Sequence, residues 1–139
     1  MKRREFLETT GKAALYGGAL MTYGITGCGS AQWVPHTVSG STIIVKKQSF
    51  AGQPFVMVDA GLAAGPLLVR EYEPGKYSAV AMKCTHKNCG LDKVGDALKC
   101  RCHGSEFSLE GAVLKGPASQ PLQLFKVRSD DENIYVEQV

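Results

Sequence analysis

Two short stretches, "CTHKNCG" at residues 84–90 and "CRCHGS" at residues 100–105, hold four of the five cysteines and two of the three histidines of this 139-residue chain. Each carries one Cys and one His close together, C-x-H in the first and C-x-x-H in the second, plus one further cysteine. Thiols and imidazoles concentrated in this way are metal ligands or disulfide partners, and either use requires the fold to bring the two stretches together. The constraint is strong because the chain is short: a domain of this size has a modest core and usually needs a staple.

Around the boxes the chain reads as short strands. From Thr42 onward, "TIIVKK", "FVMVDA", "LLVREY", "YSAVAM", "LQLFKVR" and "NIYVEQV" are rich in β-branched and aromatic residues, and Gly or Pro separates many of them. No segment after Thr42 shows a helical apolar stripe. The sequence therefore predicts an all-β domain of packed antiparallel sheets, with residues 83–121 as its longest strand-poor stretch. Asp92, Asp96, Glu106 and Glu110, in that stretch, read as solvated loop charges.

Three chemistries suit the boxes. Zinc accepts mixed thiolate and imidazole ligands, so Cys84, His86, Cys100 and His103 can form a four-ligand site, although the usual zinc spacings pair Cys with Cys and His with His. Two disulfides with idle histidines suit an exported chain. A [2Fe-2S] cluster of the mixed type takes two thiolates on one iron and two imidazoles on the other, which two loops each supplying one Cys and one His provide.

The boxes resemble the Rieske iron-sulfur proteins, specifically those of cytochrome bc-type complexes, whose pattern is C-T-H-x-x-C followed by C-x-C-H-G-S; both patterns match, over thirteen residues. The resemblance implies a Rieske fold with a small cluster-binding subdomain and one [2Fe-2S] cluster per chain. By it, Cys84 and Cys100 ligate one iron, His86 and His103 the other, and Cys89 and Cys102 form a disulfide clamping the loops. Cys100 and His103 can converge across a turn at Gly104, whereas adjacent Cys102 and His103 would not. Ser105 corresponds to a serine whose hydroxyl bonds a bridging sulfide and raises the potential. "GPASQPL", residues 116–122, resembles the loop covering the cluster, with Gly116, Pro117 and Pro121.

Departures limit what the resemblance carries. Phe107 stands where high-potential members have a tyrosine, and Lys87 where quinol-oxidising members have a hydrophobic residue. The thirteen residues between His86 and Cys100 are few for a bc-complex subunit and imply a trimmed cluster-binding part.

The N-terminus reads as an export signal. Arg3 and Arg4 precede Glu5, Phe6 and Leu7, and the glycine-rich apolar run from Ala13 to Gly27 is shorter than the roughly 20 residues that cross a bilayer. "RREFL" resembles a twin-arginine signal and "ITGC" a lipobox, in which Cys28 takes lipid. Cys28 is also the cysteine left over when two are ligands and two are bridged. The expected organisation is a signal over 1–27, a flexible tether over 28–41 and the Rieske domain over 42–139, with cluster-binding loops in 83–121. In the tether, His36 reads as a solvated histidine and Trp33 as either an interfacial anchor or a cap on the domain.

The formal net charge of +3 falls to +1 beyond Gly27, because Lys2, Arg3, Arg4 and Lys12 outnumber Glu5 and Glu8, so no basic patch for nucleic acid is indicated. No nucleophile–base pair or carboxylate dyad accompanies the boxes. The expected function is one-electron transfer by a lipid-tethered protein on the outer face of a bacterial membrane or in the periplasm. Its expected partners are a c-type cytochrome and a quinol-oxidising or molybdenum enzyme. The alternatives are the Rieske subunit of a quinol–cytochrome c oxidoreductase and the ferredoxin component of a dioxygenase. Cys89, Cys102 and the export signal disfavour the latter.

Overall fold

The computed structural model describes residues 32–138; the twin-arginine motif with Arg3 and Arg4, the lipobox and Cys28 lie outside them. Among the described residues eleven strands run in chain order: β1 (His36–Ser39), β2 (Thr42–Lys46), β3 (Phe55–Val58), β4 (Leu67–Glu73), β5 (Lys76–Ala81), β6 (Leu91–Val94), β7 (Ala97–Cys100), β8 (Glu106–Ser108), β9 (Val113–Lys115), β10 (Leu124–Ser129) and β11 (Asn133–Glu137). A 3-10 turn, Lys47–Phe50, follows β2. Seven strands form one sheet in the order β1-β2-β11-β10-β5-β4-β3, and β6-β7-β8-β9 form a second. Every strand pair in the two sheets is antiparallel.

The period of two along the central strands sorts their side chains into two cores. Val56, Val58, Leu67, Val69, Ala79 and Ala81 point into one, which Ile43, Val45, Ile134 and Val136 close from β2 and β11. The intervening residues Phe55, Met57, Leu68 and Val80 face the other way, into a second core shared with Leu91, Leu98, Phe107 and Leu122. β3 is therefore buried on both faces, which explains its unbroken apolar run, "FVMV". β2 and β11 bury alternate residues only. The second core positions the metal-ligand candidates, because Cys84 and Cys100 belong to it.

Two expectations need correcting. Residues 83–121 are not strand-poor: they contain the whole four-stranded sheet, built from strands of three or four residues. Strand pairing also begins inside the segment expected to be a tether. β1 pairs with β2 from His36 against Val45 to Ser39 against Thr42, and Trp33, 57% exposed, bridges Met57 at the edge of β3. His36 is half-buried, with its Nδ1 enclosed and unpartnered, because pairing draws it against the sheet.

Of the four carboxylates near the boxes, Asp96 is exposed, but the other three are more engaged than solvated loop charges. Asp92 forms a two-pronged pair with Arg101, and Glu106 lies 3.3 Å from Lys99. Glu110 reaches Arg70 of β4 at 2.7 Å, tying the β8–β9 turn to the large sheet.

Candidate metal centre

The two boxes are one backbone motif used twice. In the first, the Cys84 N–H donates to the Cys89 carbonyl at 2.7 Å and the Asn88 N–H to the Cys84 carbonyl at 2.9 Å. In the second, the Cys100 N–H donates to the Ser105 carbonyl at 2.8 Å and the Gly104 N–H to the Cys100 carbonyl at 3.1 Å. The fourth residue after each cysteine has positive φ, +59° at Asn88 and +75° at Gly104, the left-handed conformation that Asn and Gly tolerate best. A Lys83–Gly90 bridge closes the first loop, and the second joins β7 to β8.

The duplication puts equivalent cysteines at the base of both loops. Cys84 and Cys100 are free thiols, 1% and 5% exposed. Burial disfavours the thiolate of Cys100, but hydrogen bonds from the backbone N–H groups of His103 and Cys102, and from the Cys84 side chain, outweigh it and lower the pKa below its ordinary value. The loop backbone thus favours a negative sulfur before any cation is considered.

The histidines meet nearer the surface. The rings of His86 and His103 lie 4.9 Å apart, edge to face at 87°. His86 is half-buried, and its Nδ1 is enclosed without a hydrogen-bond partner; His103 is exposed. Cys89 and Cys102 form a disulfide with Cα atoms 6.4 Å apart, covalently joining the loops. Its sulfurs and that of Cys100 all lie within 4.8 Å of one another, so the bond packs beside the Cys100 thiol. Two of those three sulfurs are consumed in the bond and are not available as ligands.

A third loop is fastened to both boxes. Ser105, fully buried, accepts a hydrogen bond from the Ala118 N–H at 3.0 Å, and the Thr85 hydroxyl donates to the Gln120 carbonyl at 2.7 Å. These contacts hold the "GPASQPL" segment, whose Gly116–Pro117 bond is cis, beside the cysteines and histidines. The roles of Asn88 and Thr85 were missed in the sequence; the one usable signal was an asparagine four residues after a cysteine, matching Gly104 in the second box. Phe107 is fully buried beneath the loops in the second core and brings no hydroxyl to the site.

These side chains fit a metal centre of mixed ligation. A buried polar atom left unpartnered costs about 1–3 kcal/mol, and the His86 nitrogen, in the loop that begins at the buried free thiol of Cys84, is such an atom. Two sulfurs on the inner side and two imidazoles on the outer side match the donor set of a Rieske cluster, one pair per iron.

Comparison with known proteins agrees. A model of the Rieske [2Fe-2S] domain family matches residues 42–126, spanning both boxes. The chain is 30% identical over 107 residues to the cytochrome b6-f complex iron-sulfur subunit 2 of Trichormus variabilis, covering 74% of this chain and 57% of that protein. It is 35% identical over 81 residues to the corresponding subunit 2 of a Nostoc species, covering 55% of this chain and 46% of that one. The chain thus spans about half the length of these curated relatives. Among solved structures, the plasma membrane Rieske protein PetC3 of Synechocystis PCC 6803 superposes with a TM-score of 0.57 at 29% identity, covering 66% of this chain and 94% of that one.

Proposed function

The chain belongs to the Rieske [2Fe-2S] family, and from that premise we propose that it is a one-electron carrier whose cluster is held by Cys84, His86, Cys100 and His103. The observation that carries this reading is the repeated loop, which presents two buried free thiols and two converging imidazoles, one of them with an enclosed, unpartnered Nδ1. When bound, the cluster supplies one reversibly exchanged electron, and potentials of this cluster type span roughly −150 to +300 mV.

The chain's own residues set how that electron is held. The second core keeps water from the thiolate side, while exposed His103 leaves the imidazole side as the route to a partner. Ser105 uses a lone pair to accept from Ala118 and retains its hydroxyl hydrogen for donation; directed at a sulfide, that bond would stabilise the reduced form. Phe107 contributes no such donor. A potential that is positive but below the top of the family range follows.

The relatives' place in cytochrome b6-f complexes supports a cytochrome or a quinol-oxidising assembly as partner. For location, the sequence order of Arg3 and Arg4, an apolar run and Cys28 supports export and lipid anchoring on the outer face of a bacterial membrane. Among the described residues no helix is long and apolar enough to cross a membrane.

The test is redox titration followed by EPR on the purified chain, with iron and acid-labile sulfide measured together. Equal iron and sulfide, and a histidine-ligated signal lost in His103→Ala, are expected. Bound zinc without sulfide, or a midpoint near the roughly −400 mV of four-thiolate plant-type clusters, would overturn the reading.

A further inference from the structure

We infer that the exposed end of the metal centre is a cationic docking surface for an acidic protein, with Lys87 and Lys115 as its main charges. The inference rests on the electron-transfer reading above and specifies the partner's surface chemistry.

The three segments that meet at the site, residues 84–90, 100–105 and the end of β9 with the loop after it, 115–121, contain Lys87, Arg101 and Lys115 and no Asp or Glu. All three cations are exposed. Arg101 is neutralised by Asp92, and Glu106, which faces Lys115 across the β8–β9 pair, is engaged by Lys99 at 3.3 Å. Lys87 and Lys115 make no ion pair among the described residues. Lys87 directly follows His86. Lys115 is three residues from Ala118, whose N–H is 3.0 Å from Ser105 Oγ. Lys87 thus belongs to the first histidine loop, and Lys115 ends β9 where the chain enters the segment fastened to Ser105.

The rest of the domain orients this charge. Residues 83–121 carry six Lys or Arg against four Asp or Glu, whereas the remaining described residues carry six against seven. β10 begins beside the site, where the Ala81 N–H donates to the Gln123 carbonyl at 2.9 Å. It runs six residues away from the site, about 20 Å, and ends at exposed Asp130, Asp131 and Glu132. Lys46 and Lys47 stand beside Asp131 and Glu132 at that β10–β11 turn, leaving it nearly balanced, so the domain's excess of positive charge sits with the segments around the histidines. A partner with an acidic face is steered in with the redox-active end foremost. A protein is favoured over an anionic lipid surface because the free cations lie in the segments that carry the histidines and the loop beside them, the end that must face an electron acceptor.

Stopped-flow oxidation of the reduced, cluster-loaded protein tests this, using a basic cytochrome c and the same cytochrome c with its lysines succinylated. In both reactions one electron passes to the ferric haem. The succinylated form should react faster at low ionic strength and lose that advantage at high salt. Lys87→Glu combined with Lys115→Glu should slow it about tenfold and speed the basic form. The inference is overturned if the basic form reacts faster with the unmodified protein, or if the double variant shifts both rates alike or neither. It is also overturned if the double variant loses binding to phosphatidylserine vesicles while its cytochrome rates stay unchanged. Absence of a Rieske spectrum before mixing would instead overturn the electron-transfer reading, and this inference with it.

Discussion

Asn88 and Gly104 occupy the same position in two copies of one loop, each four residues after a buried free cysteine and each donating its N–H to that cysteine's carbonyl. Both are left-handed, at φ +59° and +75°. The cysteines are aimed alike because the backbone turns alike. Asn88→Gly should therefore keep both stability and cluster retention, whereas Asn88→Val places a β-branched side chain in a conformation it avoids, costing about 1–2 kcal/mol. At Gly104 an added Cβ meets no heavy atom within 4 Å, so Gly104→Ala should cost only the conformational strain, about 1 kcal/mol. Thermal unfolding monitored beside the cluster absorbance checks both positions; an unaffected Asn88→Val would show that the turn does not need its left-handed residue.

Removing the Ser105 hydroxyl should loosen the third loop before it affects the boxes. Ser105 Oγ is the acceptor for the Ala118 N–H, and both residues are buried, so Ser105→Ala leaves a donor stranded at a cost of about 1–3 kcal/mol. Hydrogen exchange at the Ala118 amide should accelerate, while the Cys100 N–H, bonded to the Ser105 carbonyl rather than its side chain, should stay protected. Unchanged exchange at Ala118 would mean that another contact secures the loop.

The strands with long branched or aromatic runs were legible in the sequence because burial on one or both faces demands those side chains: "TIIVKK" contains β2, "FVMVDA" contains β3 and "NIYVEQV" contains β11. The four-stranded sheet was not. Its strands, "LDKV", "ALKC", "EFS" and "VLK", are short and each carries at least one charge, and hairpin pairing together with a few buried residues, Leu91, Leu98 and Phe107, defines them instead of any periodicity. "HTVS" failed for a related reason: as an edge strand with three of four residues exposed, it owes its conformation to β2. The two cysteine and histidine boxes stood out in the sequence because ligand chemistry restricts residue type more tightly than strand formation does. Their supports did not, since a main-chain N–H at Ala118 or a left-handed Asn88 leaves almost no mark on composition.

The disulfide should control how well the site survives. Cys89 and Cys102 are separated by 13 residues and join the two loops covalently; closing a segment of that length is worth about 3 kcal/mol in the chain-entropy account. Cys102→Ala should leave the four proposed ligands in place and permit cluster binding, but release iron to a chelator faster and lower the thermal midpoint. Full stability in that variant would show that the hydrogen bonds of the two loops suffice to hold them together.

The β10–β11 turn should give stability a dependence on pH at both extremes, through one carboxylate and one phenol. The Tyr135 hydroxyl donates to Asp130 at 2.6 Å, and the N–H groups of Asn133 and Glu132 donate to the other carboxylate oxygen at 2.7 and 2.9 Å. Chiefly through Tyr135, these bonds hold Asp130 below its ordinary value of 3.8. The same contact with Asp130, with a smaller contribution from burial, holds Tyr135 above its ordinary 10.0. A depressed carboxylate stabilises the fold above 3.8, and that contribution is lost as pH falls through its lower folded value. A raised phenol stabilises the fold below 10.0, and that contribution is lost as pH rises through its higher folded value. Asp130→Asn removes the charge that produces both effects. Urea midpoints for the two proteins should therefore differ across the neutral range and converge in strong acid, and the loss of stability in strong base should be smaller in the variant. A difference that persists undiminished below the ordinary carboxylate range would assign the turn's stability to side-chain shape instead of charge.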